Sequence, residues 1–166
     1  GHCIQSVIEN FKDPEIIIID NGSTDQSIQI AKSFKKNKKL KDKKNVNYAD
    51  IKFFKIDNYS PGKSLNYGVK KCKYENILII SAHCVITKIN TNSLVKDLKK
   101  YCAIFANQFP VWRGKKITKR YIWSHYIDKR VENMFSDLEN RYFIHNAACV
   151  FKKFVLKKIP FDEELT

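Results

Sequence analysis

The chain has 166 residues, of which 43% are hydrophobic and 13% aromatic. That is enough for one domain with a sizeable core, and too apolar for a disordered chain. No apolar run nears the roughly 20 residues that span a bilayer, and no basic-then-apolar signal peptide opens the chain.

The net charge of +14 is densest in Lys35–Lys44, which reads as a solvated loop. Nucleic acid is not the expected partner, because the basic residues do not alternate with aromatics and no binding motif is present. An anionic membrane surface stays open. Cys3, Cys72, Cys84, Cys102 and Cys149 form no C-x-x-C pair, so they read as buried free thiols in a reducing compartment rather than a zinc cage.

Along the chain, His2–Phe11 places Cys3, Ile4, Val7, Ile8 and Phe11 at helical spacing, and Asp13-Pro14 breaks the helix. Glu15–Ile19 carries four consecutive isoleucines, the pattern of a strand covered on both faces. Asp20-Asn21-Gly22 turns the chain. Ser23 with Gln26 reads as a capping box for a helix that turns Ile28, Ala31 and Phe34 inward.

Past the lysine-rich loop, Ile51–Ile56 predicts a second strand and Ser60-Pro61-Gly62 a turn. A helix with Leu65, Val69 and Cys72 on one face follows, then a third strand at Ile77–Ile80 with Ser81–Val85 as its exit. Ser93–Tyr101 reads as a helix and Ala103–Ala106 as a fourth strand. Arg113–Asn140 reads as loop plus one helix, Ala147–Phe151 as a strand and Lys152–Lys158 as a short helix. Such alternation predicts an α/β domain with a mostly parallel sheet. The series opens inside a helix at Gly1, so a first strand is expected ahead of it.

Ligands of open parallel sheets bind beyond the carboxyl ends of the strands. Three such ends carry polar groups: Asp20-Asn21-Gly22-Ser23, Asp57-Asn58 and Ser81-Ala82-His83. On these residues alone the chain is a small-molecule α/β domain. Longer blocks say more. They are EIIIIDNGSTDQS from Glu15, YSPGKSLNYGVKKC from Tyr59, ENILIISAHCVI from Glu75, ANQFP from Ala106 and YFIHNAACVFKKFVLKKIPFDEEL from Tyr142. In this order, and almost end to end, they resemble family 2 glycosyltransferases of the GT-A fold. The last two resemble a rhamnosyltransferase-like branch.

The resemblance implies a nucleotide-diphospho-sugar transferase domain over residues 1–166, incomplete at both ends. Asp20 would take the place of the acid that accepts a nucleobase imide N–H. Asn21 stands where the family has a second acid; it keeps hydrogen-bonding capacity without charge, and Asn21-Gly22 also reads as a plain turn. Ser23 belongs to the same block. Asp57 would bond the nucleoside or be a solvated loop acid. Lys63 and Asn66 lie on the family's glycine-x-x-x-Asn-x-Gly helix. Lys63 would reach the phosphates or be an ordinary surface lysine, and Gly62 would permit close backbone approach.

Ser81-Ala82-His83 occupies the Asp-x-Asp position without either carboxylate. Ser81 would reach the ribose. His83 would ligate Mn²⁺, bond a diphosphate oxygen, or be structural; Mg²⁺ prefers oxygen ligands. Asn146, Asp162 and Glu163 match the acceptor-side block, and the family's catalytic base is expected beyond Thr166.

The implied reaction moves a sugar from a nucleoside diphosphate to a hydroxyl of a polysaccharide or glycolipid, with inversion and a divalent metal, Mn²⁺ or Mg²⁺. The implied place is the cytoplasm, with peripheral association at the inner membrane face as an option. A non-catalytic nucleotide- or glycan-binding module is the alternative that Asn21 and Ser81 favour. A basic nucleic-acid-binding domain and a nucleotidyl transferase fit the motifs less well.

Overall fold

The computed structural model describes residues 1–35, 49–116, 129–137, 139–145 and 147–165. In chain order the elements are helix α1 (His2–Asn10), strand β1 (Glu15–Asp20), α2 (Ser27–Ser33), β2 (Asp50–Lys55), α3 (Pro61–Lys71), β3 (Asn76–Ile80), α4 (Thr91–Lys100) and β4 (Ala103–Phe105). Two short hairpins follow, β5 (Val111–Trp112) with β6 (Lys115–Lys116) and β7 (Phe135–Ser136) with β8 (Arg141–Tyr142), before β9 (Ala148–Lys152) and α5 (Lys153–Lys158).

Local chemistry accounts for the element ends. The Ser60 hydroxyl caps α3 by accepting the Lys63 N–H, and Pro61 opens the helix, where its missing N–H costs nothing. Asn90 caps α4 in the same way through the Ser93 N–H. The capping box expected at Ser23 and Gln26 does not form. The helix starts at Ser27, whose N–H bonds Asp25 Oδ1 at 2.9 Å, while the Ser23 hydroxyl turns back to Asp20. In the stretch expected to be loop plus one helix, the described residues form the two hairpins; 117–128 lie outside them, as do 36–44 of the lysine run.

β1 and β2 pair in parallel, from Glu15 opposite Asp50 to Asp20 opposite Lys55. β9 lies between β3 and β4 and pairs antiparallel with both, so β3 and β4 run the same way. Their direction also agrees with β1. The Lys73 N–H just ahead of β3 donates to Glu15 at the start of β1 at 2.9 Å. At the opposite end, Cys3 on the first turn of α1 donates to the Ser81 carbonyl just past β3 at 3.7 Å. β1 to β4 therefore present their carboxyl ends on one edge.

Two cores hold the layers. Ile8 of α1 meets Ala49 and Ile51, flanked by Ile16, Ile18, Phe34 and Phe53. On the other face of β1, α3 passes Gly68 against Ile19. One residue on, Val69 joins Ile77, Cys149, Phe151 and Leu156. Each buried aliphatic side chain contributes roughly 1.5–3 kcal/mol. Both α1 and α3 thus touch β1 and the β3 region. Yet among the described strands β1 pairs only with β2, and β3 only with β9. Each keeps one edge without a strand partner.

All five cysteines are free, but of the expected burial only Cys149 shows it in full: Cys3, Cys72 and Cys84 are half-buried and Cys102 is exposed. Burial pushes the Cys149 thiol up to about 12, which makes it inert packing rather than a nucleophile.

Candidate functional site

The carboxyl edge starts at Asp20. Its carboxylate accepts the Gly22 N–H at 3.0 Å, the Ser23 N–H at 3.2 Å and the Ser23 hydroxyl. The Ser23 hydroxyl, with the Ser23 and Gly22 amides behind it, holds the Asp20 carboxyl below its usual range despite some burial. A carboxylate offers about four lone-pair sites, so three donors leave one for a ligand N–H. Gly22 sits at φ +81°, which lets the turn fold its amide back onto Asp20. Asn21 is exposed beside it.

Asp57 lies next to this corner, because the Ile56 N–H that precedes it donates to the Asp20 carbonyl at 3.0 Å. The Asp57 side chain is exposed. From α3, the Lys63 ammonium reaches the carbonyls of Asp57 and Asn58 at 3.3 and 3.2 Å. It bridges the loop and keeps one donor for an anion. Asp20, Asp57 and Lys63 thus form one corner.

Ser81 and His83 stand at the end of β3. The Ser81 N–H donates to the Ala147 carbonyl at 2.9 Å, and His83 is exposed on the turn that follows. The first turn of α1 lies between this end and the Asp20 corner: Cys3 contacts Ser81, and Gly1 lies beside Ile30 of α2. Among the described residues, no three His, Cys, Asp or Glu side chains gather as a metal cluster. A metal bound to a diphosphate takes most of its ligands from phosphate and water, so a single exposed imidazole fits a one-ligand role.

Asn66 is placed differently from a nucleotide ligand. It is buried and bonded across the chain. Its amide N–H₂ donates to the Phe161 carbonyl at 2.8 Å and to Glu163 Oε1 at 2.9 Å, and its oxygen accepts the Phe161 N–H at 2.9 Å. Gly62 likewise meets protein, since a Cβ there would lie 1.8 Å from the Asp162 carbonyl oxygen. Asp162 and Glu163 are exposed, and Asn146 lies outside the described residues.

A cavity of about 830 Å³ runs along β4, away from Asp20. Its lining includes Tyr101, Phe105, Asn107, Gln108, Phe143 and His145. Gln108 and His145 approach at 2.7 Å, and burial holds the His145 imidazole below its ordinary value. Its Asn107 end reaches the carboxyl edge just past β4. Sequence reasoning did not single it out, although ANQFP and the Tyr142 block supply much of its wall.

The family model for glycosyl transferase family 2 matches residues 1–160. The chain belongs to that family. Membership brings with it the GT-A α/β fold, in which the parallel β1–β2 pair and the shared carboxyl edge find their place. Two curated sequences of poly-beta-1,6-N-acetyl-D-glucosamine synthase from Staphylococcus epidermidis are 32% identical over 91 residues. The match takes in 54% of this chain and 19% of the relative, so the chain spans about a fifth of the length of these relatives. No solved structure matches the chain. Among the described residues, no helix is long and apolar enough to cross a membrane.

Proposed function

We propose that this chain forms the donor-nucleotide part of an enzyme that transfers a sugar from a nucleoside diphosphate to a glycan or lipid-linked hydroxyl, with inversion. The observation that carries the reading is the Asp20 corner. A braced carboxylate with one free acceptor site stands beside a lysine that already bridges the neighbouring strand exit. Such a pair suits a ligand that offers an N–H at one end and negative charge at the other.

In this reading Asp20 accepts the imide N–H of the base, with Asn21 and Ser23 completing the turn around it. Asp57 and Ser81 face the ribose, and Lys63 lies toward the phosphates. His83 would hold a divalent metal, Mn²⁺ in preference to Mg²⁺ for a nitrogen ligand; when bound, such a metal offsets charge on the departing diphosphate. Asn146, Asp162 and Glu163 belong to the acceptor side. A carboxylate beyond Thr166 takes the proton of the attacking hydroxyl.

Residues 1–166 are read as one domain that is completed from outside this stretch. Support comes from the partnerless edges of β1 and β3, both crossed by α1 and α3. A further strand between them would pair backbone groups that cost roughly 1–3 kcal/mol each when buried unmatched. Polysaccharide is the favoured acceptor, since the relatives are named as synthases of poly-beta-1,6-N-acetyl-D-glucosamine. Peripheral association with the inner membrane face would draw on the lysine run.

The test is a donor panel given to the full-length enzyme with Mn²⁺: UDP-N-acetylglucosamine, UDP-glucose and dTDP-rhamnose. Release of nucleoside diphosphate with growth of a glycan product supports the proposal. Tight nucleotide binding with no turnover of any donor would favour the non-catalytic module instead. Consumption of dTDP-rhamnose alone would place the enzyme with the rhamnosyltransferases that its last blocks resemble.

A further inference from the structure

We infer that Asn66 is a positioning residue acting through Glu163, and that Ser60, Gly62 and Asn66 form a clamp that sets the acceptor-side acids against the donor corner. The inference rests on the donor-site reading above.

Three separate contacts define the clamp. Asn66 spends both N–H donors and its oxygen on Phe161 and Glu163. The Ser60 hydroxyl accepts the Lys63 N–H at 3.2 Å and donates to the Glu163 carbonyl at 2.7 Å. Gly62 has no side chain where the Asp162 carbonyl rests on it. These partners are about a hundred residues apart in the chain.

Anchoring the segment needs less than this. The pair of bonds between Asn66 and the Phe161 backbone already fastens it as two strand residues would. The second Asn66 N–H instead goes to the carboxylate of Glu163, an exposed side chain. A buried amide that holds an exposed carboxylate removes rotamer freedom which solvent would otherwise leave, and so fixes where that charge points. Asp162 does not share this arrangement, because its Oδ1 accepts the Glu164 N–H at 2.9 Å.

The same stretch of α3 carries Lys63, which grips the carbonyls of Asp57 and Asn58 at the donor corner. One rigid helix start therefore holds both the donor-side loop and the Glu163 carboxylate. Their separation is set by about one turn of α3, from Lys63 to Asn66, rather than by a flexible tail.

The test uses the full-length enzyme, the donor of the panel that it consumes fastest, and UDP as binding probe. Asn66→Asp keeps the acceptor facing Phe161, loses both donors and sets a second carboxylate against Glu163. It should lower kcat about 10- to 100-fold while KM for the donor and the Kd for UDP stay within about twofold. Glu163→Gln, an exposed change, should lower kcat similarly, and the double variant should lose little more than either single one. Exchange of the Phe161 amide should quicken in Asn66→Asp only.

A parallel loss of UDP affinity would make Asn66 a nucleotide ligand and overturn the inference. Faster Phe161 exchange with unchanged kcat would reduce the clamp to a structural fastening and also overturn it, as would unaltered kcat in Glu163→Gln. If the wild-type enzyme consumes no donor, the glycosyltransfer reading fails and the positioning role falls with it; Phe161 exchange then reports only the fastening of the segment.

Discussion

Two glycines on one helix make opposite predictions. A methyl group on Gly62 would lie 1.8 Å from the Asp162 carbonyl oxygen and 2.5 Å from its carbon, whereas ordinary contact begins near 3.4 Å. The obstacle is backbone, so the segment must retreat by about 1.6 Å. That breaks the bonds that Asn66 and Ser60 make to Phe161 and Glu163. Four bonds at about 0.5–1.5 kcal/mol each, partly replaced by water, are set against up to about 1 kcal/mol regained by alanine in a helix. The expected net cost of Gly62→Ala is about 1–3 kcal/mol.

A Cβ on Gly68 would lie 3.6 Å from Ile19 Cγ1, an ordinary contact with a side chain. Gly68→Ala should therefore be neutral or stabilise by about 0.5–1 kcal/mol. Denaturant unfolding gives both values, and amide exchange at Phe161 reports the first locally, with about 1.4 kcal/mol per tenfold change in opening. Equal effects of the two substitutions, or undisturbed exchange at Phe161 in Gly62→Ala, would show that the Asp162 carbonyl does not rest on α3.

Glu15 supplies a pH test. Its carboxylate is 3% exposed and bonds Lys52 at 2.6 Å and the Lys73 N–H at 2.9 Å. Burial pushes its carboxyl up, but the Lys52 bond and the Lys73 amide outweigh that and hold it below the usual range. A depressed carboxyl adds stability above its unfolded value of about 4.3 and loses it as pH falls through the folded value. Glu15→Gln should cost about 1–3 kcal/mol at pH 7, with the gap to wild type closing below about pH 4; a gap of the same size at pH 3 in urea titrations would refute the sign. His83→Ala should remove most of the Mn²⁺ dependence of UDP binding and spare metal-free binding, and His83→Asp should shift preference toward Mg²⁺; calorimetry with each ion decides. Serines in place of the lysines of Lys35–Lys44 should leave UDP affinity unchanged at physiological salt, and a large loss would put that run in the nucleotide site.

The elements made by local chemistry were legible. Four isoleucines marked β1 and apolar spacing marked α1, while Ser60-Pro61-Gly62, read as a turn, proved to be the N-cap and first residues of α3. Misreadings came where a residue's partner is distant or its choices are several. Ser23 has a capping pattern, yet its hydroxyl prefers the nearby Asp20 carboxylate, so Asp25 serves Ser27 instead. The Ala147–Phe151 strand was visible, but nothing local says that β9 enters between β3 and β4 and runs against both. Asn66 could be placed on its helix from its motif, while its bonds to Phe161 and Glu163 depend on a segment 95 and 97 residues away. The turn at Asp20 was readable as a strand exit; its bracing by Gly22 and Ser23 required coordinates.

The central claim is that the Asp20 corner holds the nucleotide of a sugar donor. Calorimetric titration of UDP into the full-length enzyme, wild type against Asp20→Ala, tests it most directly. Loss of a charge-assisted bond to the base should weaken binding by roughly 10- to 150-fold, equivalent to about 1.5–3 kcal/mol. The same substitution should leave overall folding intact, since among the described residues the Asp20 side chain hydrogen-bonds only its own turn. Equal UDP affinity in a folded Asp20→Ala variant would contradict the account.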